Sequence, residues 1–483
     1  MRFNNKLFVL TLLFTVIGMV SCDEALDINE SPNNPASSTP ALTLPSGMLY
    51  SGQTVGLDFA LVSGFIAQYW TQSPQAGQYE VYDRYNYNGS STSAGWQNSW
   101  YGAMADLKFV KEQGVEDGLN NHAAIATLLL AYQYQVLVDL FDQVPFDEAL
   151  NGDEGVLQAG YQSGEEVYDR IIDLIDEGLD LIVPGGVAPG AEDLMLQGDM
   201  EMWEKFGNTL KLRVYMRQSE ARPSVAQAGI QELESSGAVF LGSGENVAIA
   251  YPGTNGNQNP LYSGDVSANP GLGDVNISGS ASVINPMLDV GDPRIDFYYD
   301  PAVNSGNHVP IIQGEGVEED GSEERDDFST PDAVNVAGPS TPVYYITGHE
   351  SLFLQAEAKA RGWMSGDAKA AYDAAMEAAF LFAGGHDASS FIADGGAYAY
   401  DGLESIHLQK WLSMAGTQCV EGWAEWRRTD TPVLEQSTEG TAANLNGSQF
   451  PRRAFYPVVE LSNNPNTPAN TNIGDPVWWD VSE

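Results

Sequence analysis

The sequence predicts a mostly α fold: a helical scaffold in two blocks, divided by a loop-rich middle that carries short strands. Three observations point there. Segments with helical periodicity recur over 50–220 and again over 345–428. Between them, residues 222–343 are rich in Gly, Asn, Ser, Asp and Pro with little periodicity, as in "YPGTNGNQNPLYSGDVSANPGLGDVNISGSASVINPM". The hydrophobic share of 43% is that of a chain able to bury a large core.

The elements follow in chain order. Arg2 and Lys6, a mostly apolar run over 7–20 and small Ser21 form the n-region, h-region and cleavage site of a secretory signal. The run is shorter than the ~20 residues of a bilayer-spanning helix, so a transmembrane anchor is the weaker reading. Met19-Val20-Ser21-Cys22 resembles a bacterial lipobox, whose thiol takes a diacylglycerol. Residues 1–21 then read as a lipoprotein signal peptide and Cys22 as the lipidated amino terminus, with an ordinary cleaved signal as the alternative. Each acyl methylene buried in the membrane contributes about 0.8 kcal/mol. Residues 22–45 are turn-rich and poor in apolar side chains, as a flexible tether would be, which leaves 46–483 as one domain.

Within that domain, "WQNSWYGAMADLKFVKEQ" and "NNHAAIATLLLAYQYQVLVDLF" predict helices, the second apolar nearly all round and therefore central. "SGEEVYDRIIDLIDEGLDLI" opens on Ser163 with Glu166 in capping-box spacing, and "DMEMWEKFGNTLKLRVYMRQSE" opens on Asp199. After the loop-rich middle, "ITGHESLFLQAEAKARGWMSGDAKAAYDAAMEAAFLF" gives two helical runs parted by a turn at Ser365 and Gly366. Small Ala356, Ala358 and Ala360 allow close packing, and the hairpin looks like a tetratricopeptide repeat. "SIHLQKWLSMAGTQCVEGWAEWRRT" adds a further helix, and a loop-rich tail ends the chain.

Charge and motifs exclude several function classes. The formal net charge is -45, from 66 acids against 21 bases spread along the chain, and such a surface repels nucleic acid and anionic lipid. If Cys22 is lipidated, Cys419 is left without a disulfide partner and reads as a small core residue. There is no Gly-Lys-Ser/Thr phosphate loop, Gly-x-Ser-x-Gly elbow, His-Glu-x-x-His helix or paired-cysteine zinc spacing, and no catalytic or metal-ligating residue is assigned. The acid-rich "GVEEDGSEERDDF" offers oxygens to a structural calcium but lacks the ordered spacing of an EF-hand. No other cofactor is expected.

Nine segments in order carry a family resemblance: "LDINESPNNP", "AQYWTQ", "DLFDQVPFDEAL", "WEKFGNTLKLRVYMR", "GDPRIDFYYDP", "ESLFLQAEAKARGW", "LQKWL", "GWAEWRRT" and "PRRAFYPVVELSNNPN". Together with the lipobox they make the chain resemble the SusD-like (RagB/SusD) outer-membrane lipoproteins of Bacteroidetes. The resemblance implies a mostly helical single domain with tetratricopeptide-like hairpins as scaffold, anchored on the cell surface over a TonB-dependent SusC-like barrel. It implies capture of an oligo- or polysaccharide rather than catalysis. A scaffold that binds only proteins or peptides, and a secreted hydrolase, remain the alternatives.

A glycan site needs aromatic faces for sugar rings and amides or carboxylates for hydroxyls. The richest stretch is "QYWTQSPQAGQYEVYDRYNYNGSSTSAGWQNSWY". Tyr79, Tyr82, Tyr85 and Tyr87 sit in a Gly/Asn-bounded loop interleaved with Asp83 and Arg84, and extended alternation places Tyr85 and Tyr87 on one exposed face. Those six residues and Trp96 are the candidate ligand contacts, although the spacing of Trp96 and Trp100 also suits helix packing. The loops of 253–285 are a second candidate wall, while Trp363, Trp411, Trp423 and Trp426 read as scaffold. The acidic, lysine-poor composition suggests a marine polysaccharide such as a β-glucan.

Overall fold

The computed structural model of the chain describes residues 38–268, 271–273, 275–315, 322–440, 445–470 and 472–481. Cys22, tether residues 22–37 and positions 316–321 of the acid-rich stretch lie outside the described residues. The long helices are α1 (Pro40–Gln53), α2 (Phe59–Ile66), α3 (Ala105–Glu116), α4 (Asn120–Phe141), α5 (Gly164–Asp180), α6 (Met200–Arg217), α7 (Pro223–Ser236), α8 (Gly348–Ala360), α9 (Ala368–Phe382), α10 (Leu403–Ser413) and α11 (Cys419–Thr429). Helix α1 starts inside the segment read as tether, so 40–45 belong to the folded body. Thr39 caps it by accepting from the Leu42 N–H, and Pro40 occupies the first turn, where its missing N–H is not needed.

Helix α4 is the axis of the core. It is buried from Asn121 to Phe141 and packs against α1, α3, α5 and α6. By length and composition it could cross a membrane, but its apolar window is wholly covered by protein. Local rules place the helices around it. Ser163 and Glu166 form the capping box of α5, and Asp199 caps α6 by accepting from Met202 N at 3.1 Å. Thr347 and Asp367 cap α8 and α9, which pack as the expected hairpin. Its turn passes through Gly366 at φ +114°, a conformation that favours glycine.

The loop-rich middle holds more helix than its composition suggests. "PSVAQAGIQELESS" forms α7, with Pro223 at its start, Gly237 left-handed at its end, and Ala226, Gly229, Ile230 and Leu233 on the buried face. Ala281–Val290 is a second helix. Among the described residues the strands are short and form four antiparallel two-stranded ribbons. One joins Trp70–Gln72 to Ile277–Gly279, and another joins Val144–Pro145 to Tyr161–Gln162.

Five helices meet around buried charges. Arg213 of α6 holds Glu350 of α8 at 2.6 Å, and Arg217 bridges Asp139 of α4 and Glu421 of α11. Lys410 of α10 pairs with Glu425 at 2.9 Å, and Arg428 pairs with both Glu357 and Glu425. Burial pushes the Glu421 carboxyl up, but Arg217, Arg213 and Lys410 more than offset this and hold it at about 2. In Glu357 and Glu425, burial is likewise outweighed by neighbouring cations, Arg428 foremost, and both carboxyls are lowered.

A carboxyl depressed in the fold stabilises fully above its unfolded value of ~4.3 and loses that contribution as pH falls through its folded value. The contribution of these pairs should therefore hold from neutral pH to about pH 5 and be lost between about pH 4 and 2, seen as a steep fall in melting temperature by scanning calorimetry. A melting temperature unchanged at pH ~2 would contradict ionised pairs in the core.

Candidate functional site

The tyrosine-rich segment does not form an exposed face. Glu80–Asp83 makes a helical turn and Tyr85 takes φ +50°, so the chain winds instead of alternating, and the rings turn inward. Tyr79, Tyr82, Tyr85 and Tyr87 are all buried. The Tyr82 ring lies 5.5 Å from Phe65 and 6.1 Å from Tyr87. Tyr79 donates to Asp265 at 3.1 Å, Tyr87 donates to the Arg453 carbonyl at 2.7 Å, and Tyr85 accepts from Ser437 N at 3.2 Å. The expectation of exposed ring faces at these four positions is corrected: distant chain segments cover them.

Asp83 is buried as well. It accepts from Thr71 Oγ1, Gln72 N and Gln313 Nε2, a knot that ties the Trp70–Gln72 strand to Gln313. Burial lifts its carboxyl to about 6 against these hydrogen bonds, so its pH dependence is opposite to that of the ion network: its stabilisation is lost as pH rises through about 6. Arg84 is the exposed member, with 48% of its side chain accessible, paired with Glu80 at 2.6 Å and Glu439 at 3.4 Å. Asp83 and Arg84 line a polar cleft of about 920 Å³, walled also by Ile312, Glu315, Glu323 and Thr438. None of the described residues of 253–285 lines it.

Trp96 leads to a different place. Helix Ser93–Gln97 runs into the π-helix Asn98–Met104, braced by two close approaches: a Cβ at Gly95 would meet Phe59, and one at Gly102 would meet Tyr50, each at 2.4 Å. Trp96 packs inward on Phe141 at 4.9 Å and Trp100 at 5.5 Å, while Tyr101 turns outward and is 77% exposed. Trp96, Trp100, Tyr101 and Phe109 form one side of a cleft of about 570 Å³.

The facing side of this cleft is the 145–159 loop, with Leu157 83% exposed, and Val459, Glu460, Asn463 and Asn464 from the tail. That loop is latched to the tail: Asn464 Nδ2 donates to the Ala159 carbonyl at 3.0 Å, Gln158 Nε2 to the Asn463 carbonyl at 3.1 Å, and Tyr161 to Glu460 Oε1 at 2.9 Å. Glu112, Glu148 and Asp153 add carboxylates. One exposed ring, Tyr101, among carboxylates and amides on a pinned scaffold suits the apolar faces and hydroxyls of a sugar chain.

The family model for SusD-like proteins, described as starch-binding and associating with the outer membrane, matches residues 32–457. The chain belongs to the SusD-like family. Its fold is that of solved SusD-like structures. A chitin-binding protein matches with TM-score 0.76 and 22% identity, over 92% of this chain and all of its own. A chitin-binding SusD homolog from Flavobacterium johnsoniae matches with TM-score 0.78 and 21% identity over 91% of this chain and 99% of its own. A SusD homolog from Bacteroides vulgatus gives 0.73 and 21% over 89% and 94%. No curated protein matches in sequence.

Two of the segments that carry the family resemblance, "DLFDQVPFDEAL" and "PRRAFYPVVELSNNPN", converge on the aromatic cleft of this SusD-like chain. The cleft brings together residues that local pattern did not single out: Tyr101, Leu157, Glu148 and Asn463. Among the described residues one grouping has metal-ligand chemistry: Glu357, His407 and Glu425 place an atom each within 4.8 Å of one another. Arg428, Arg361 and Lys410 already pair with its carboxylates, so added positive charge would be repelled there. Cys419 is buried, and burial pushes its thiol well up, as suits a core residue.

Proposed function

We propose that the protein is a cell-surface lipoprotein that captures a glycan in the aromatic cleft, without chemical turnover, and passes it to a TonB-dependent SusC-like barrel. The observation that carries this reading is the aromatic cleft itself, built on a SusD-like scaffold with Tyr101 presented to solvent. Two structural neighbours described as chitin-binding favour an uncharged β-linked polymer, the class that also contains the β-glucans.

Titration calorimetry with soluble chito-oligosaccharides and β-glucan oligosaccharides tests it. Tyr101→Ala should weaken binding about tenfold or less, the loss of one stacking ring, while the melting temperature stays near the parent's. Unchanged affinity would move the site to the polar cleft of Asp83 and Arg84. Steady release of shortened sugars would make the protein a hydrolase.

The placement rests on Cys22. Cys22→Ala should release the protein from the outer membrane on fractionation, and the parent solubilised in mild detergent should bring down a TonB-dependent barrel. A Cys22→Ala protein that stays membrane-bound would sink the lipid anchor.

A further inference from the structure

We infer that the aromatic cleft selects glycans by charge: it admits neutral or amine-bearing hexose chains and turns away chains carrying carboxylate or sulfate groups. This deepens the glycan-capture reading and rests on it. Glu112, Glu148, Asp153 and Glu460 line the cleft, against one cation, Lys108. That cation is already engaged, its Nζ donating to the Leu150 carbonyl at 2.9 Å and Asn151 Oδ1 at 2.8 Å, with Glu112 Oε1 a further 3.6 Å contact. An anionic substituent entering the cleft would meet four carboxylates and no uncommitted ammonium or guanidinium among the lining residues.

The carboxylates differ in what they can offer a ligand. Glu148 accepts from Gly160 N at 2.8 Å, and Glu460 accepts from Tyr161 and Asn464, so both help to hold the cleft walls. Among the described residues, Glu112 has only its long contact to Lys108 and the Asp153 carboxylate makes no hydrogen bond or ion pair. These two exposed acids on the lips are therefore the groups that can receive an ammonium on a sugar ring. The protein's net charge of -45 adds the same sign at longer range, so entry of polyanions is opposed before contact.

Three oligosaccharide series of matched length and of both β-1,3 and β-1,4 linkage separate the outcomes: neutral glucose, glucosamine and glucuronate chains, titrated at mildly acidic pH where the amines are protonated. At ~0.01 M salt, where the Debye length is ~30 Å, the glucosamine chain should bind about three- to tenfold more tightly than the neutral one and the glucuronate chain about tenfold more weakly. At ~1 M salt, with a Debye length of ~3 Å, the three should converge. Glu112→Gln combined with Asp153→Asn should bring the amine chain's affinity down to that of the neutral chain measured on the same variant. Equal affinity for all three at low salt, or a preference unchanged by the double variant, overturns the charge filter and leaves glycan capture standing. Binding of none of the three, nor of chito-oligosaccharides, overturns both.

Discussion

Arg428→Ala is expected to lose on the order of 3–5 kcal/mol of stability, the scale for breaking a buried pair by removing one partner. The side chain is wholly buried, with Nη1 donating to Glu357 Oε1 at 2.7 Å and Ser219 Oγ at 2.8 Å, and Nη2 to Glu357 Oε2 at 2.7 Å and Glu425 Oε1 at 2.8 Å. Its removal strands two carboxylates at the junction of α8, α10 and α11 and leaves Arg361, His407 and Lys410 to compensate them. Arg428→Lys should recover only part of the loss, because one ammonium cannot make the bidentate contact to Glu357. Urea titration followed by circular dichroism measures both. A loss below about 1 kcal/mol for Arg428→Ala would mean that water reaches these carboxylates and the network is not dry.

That junction shows what a sequence can and cannot reveal. Helices whose signals are local were legible: the apolar run of α4, the Ser163–Glu166 box, Asp199 at the head of α6, and the small-residue hairpin of α8 and α9. Helix α7 was hidden by the Gly and Pro content of its surroundings, although its buried residues at 226, 229, 230 and 233 keep helical spacing. The partners of Arg213 and Arg217, and the Glu357 partner of Arg428, lie on helices far away in the chain, and nothing local distinguishes those arginines from solvated ones.

The binding surface was legible only in outline for the same reason. A Gly/Asn-bounded run of tyrosines carries the composition of an exposed loop, but exposure is decided by what packs over it. Here Ser437, Phe450 and Arg453 do so, more than 300 positions downstream. The cleft that does present a ring joins residues 96–112, 145–159 and 459–464. Glu148, Asp153 and Leu157 line the same cleft as Tyr101 from a loop that the tail latches, a contact that no periodicity announces.

Tyr87→Ala follows from that reversal, with an expected loss on the order of 3–5 kcal/mol, the range for deleting a buried aromatic ring. An exposed loop tyrosine would contribute little to the core, whereas Tyr87 is 1% exposed, packs on Tyr82 and is the donor to the Arg453 carbonyl. Tyr87→Phe separates the two parts. It keeps the ring and removes the hydroxyl, so it should cost about 1–3 kcal/mol for the carbonyl left unpaired, and the remainder of the alanine effect is packing. Measured well below the melting temperature of each variant, glycan affinity should be that of the parent for Tyr87→Phe and change only for Tyr101→Ala. A Tyr87→Ala protein that melts like the parent but has lost its glycan would show instead that this ring reaches the ligand.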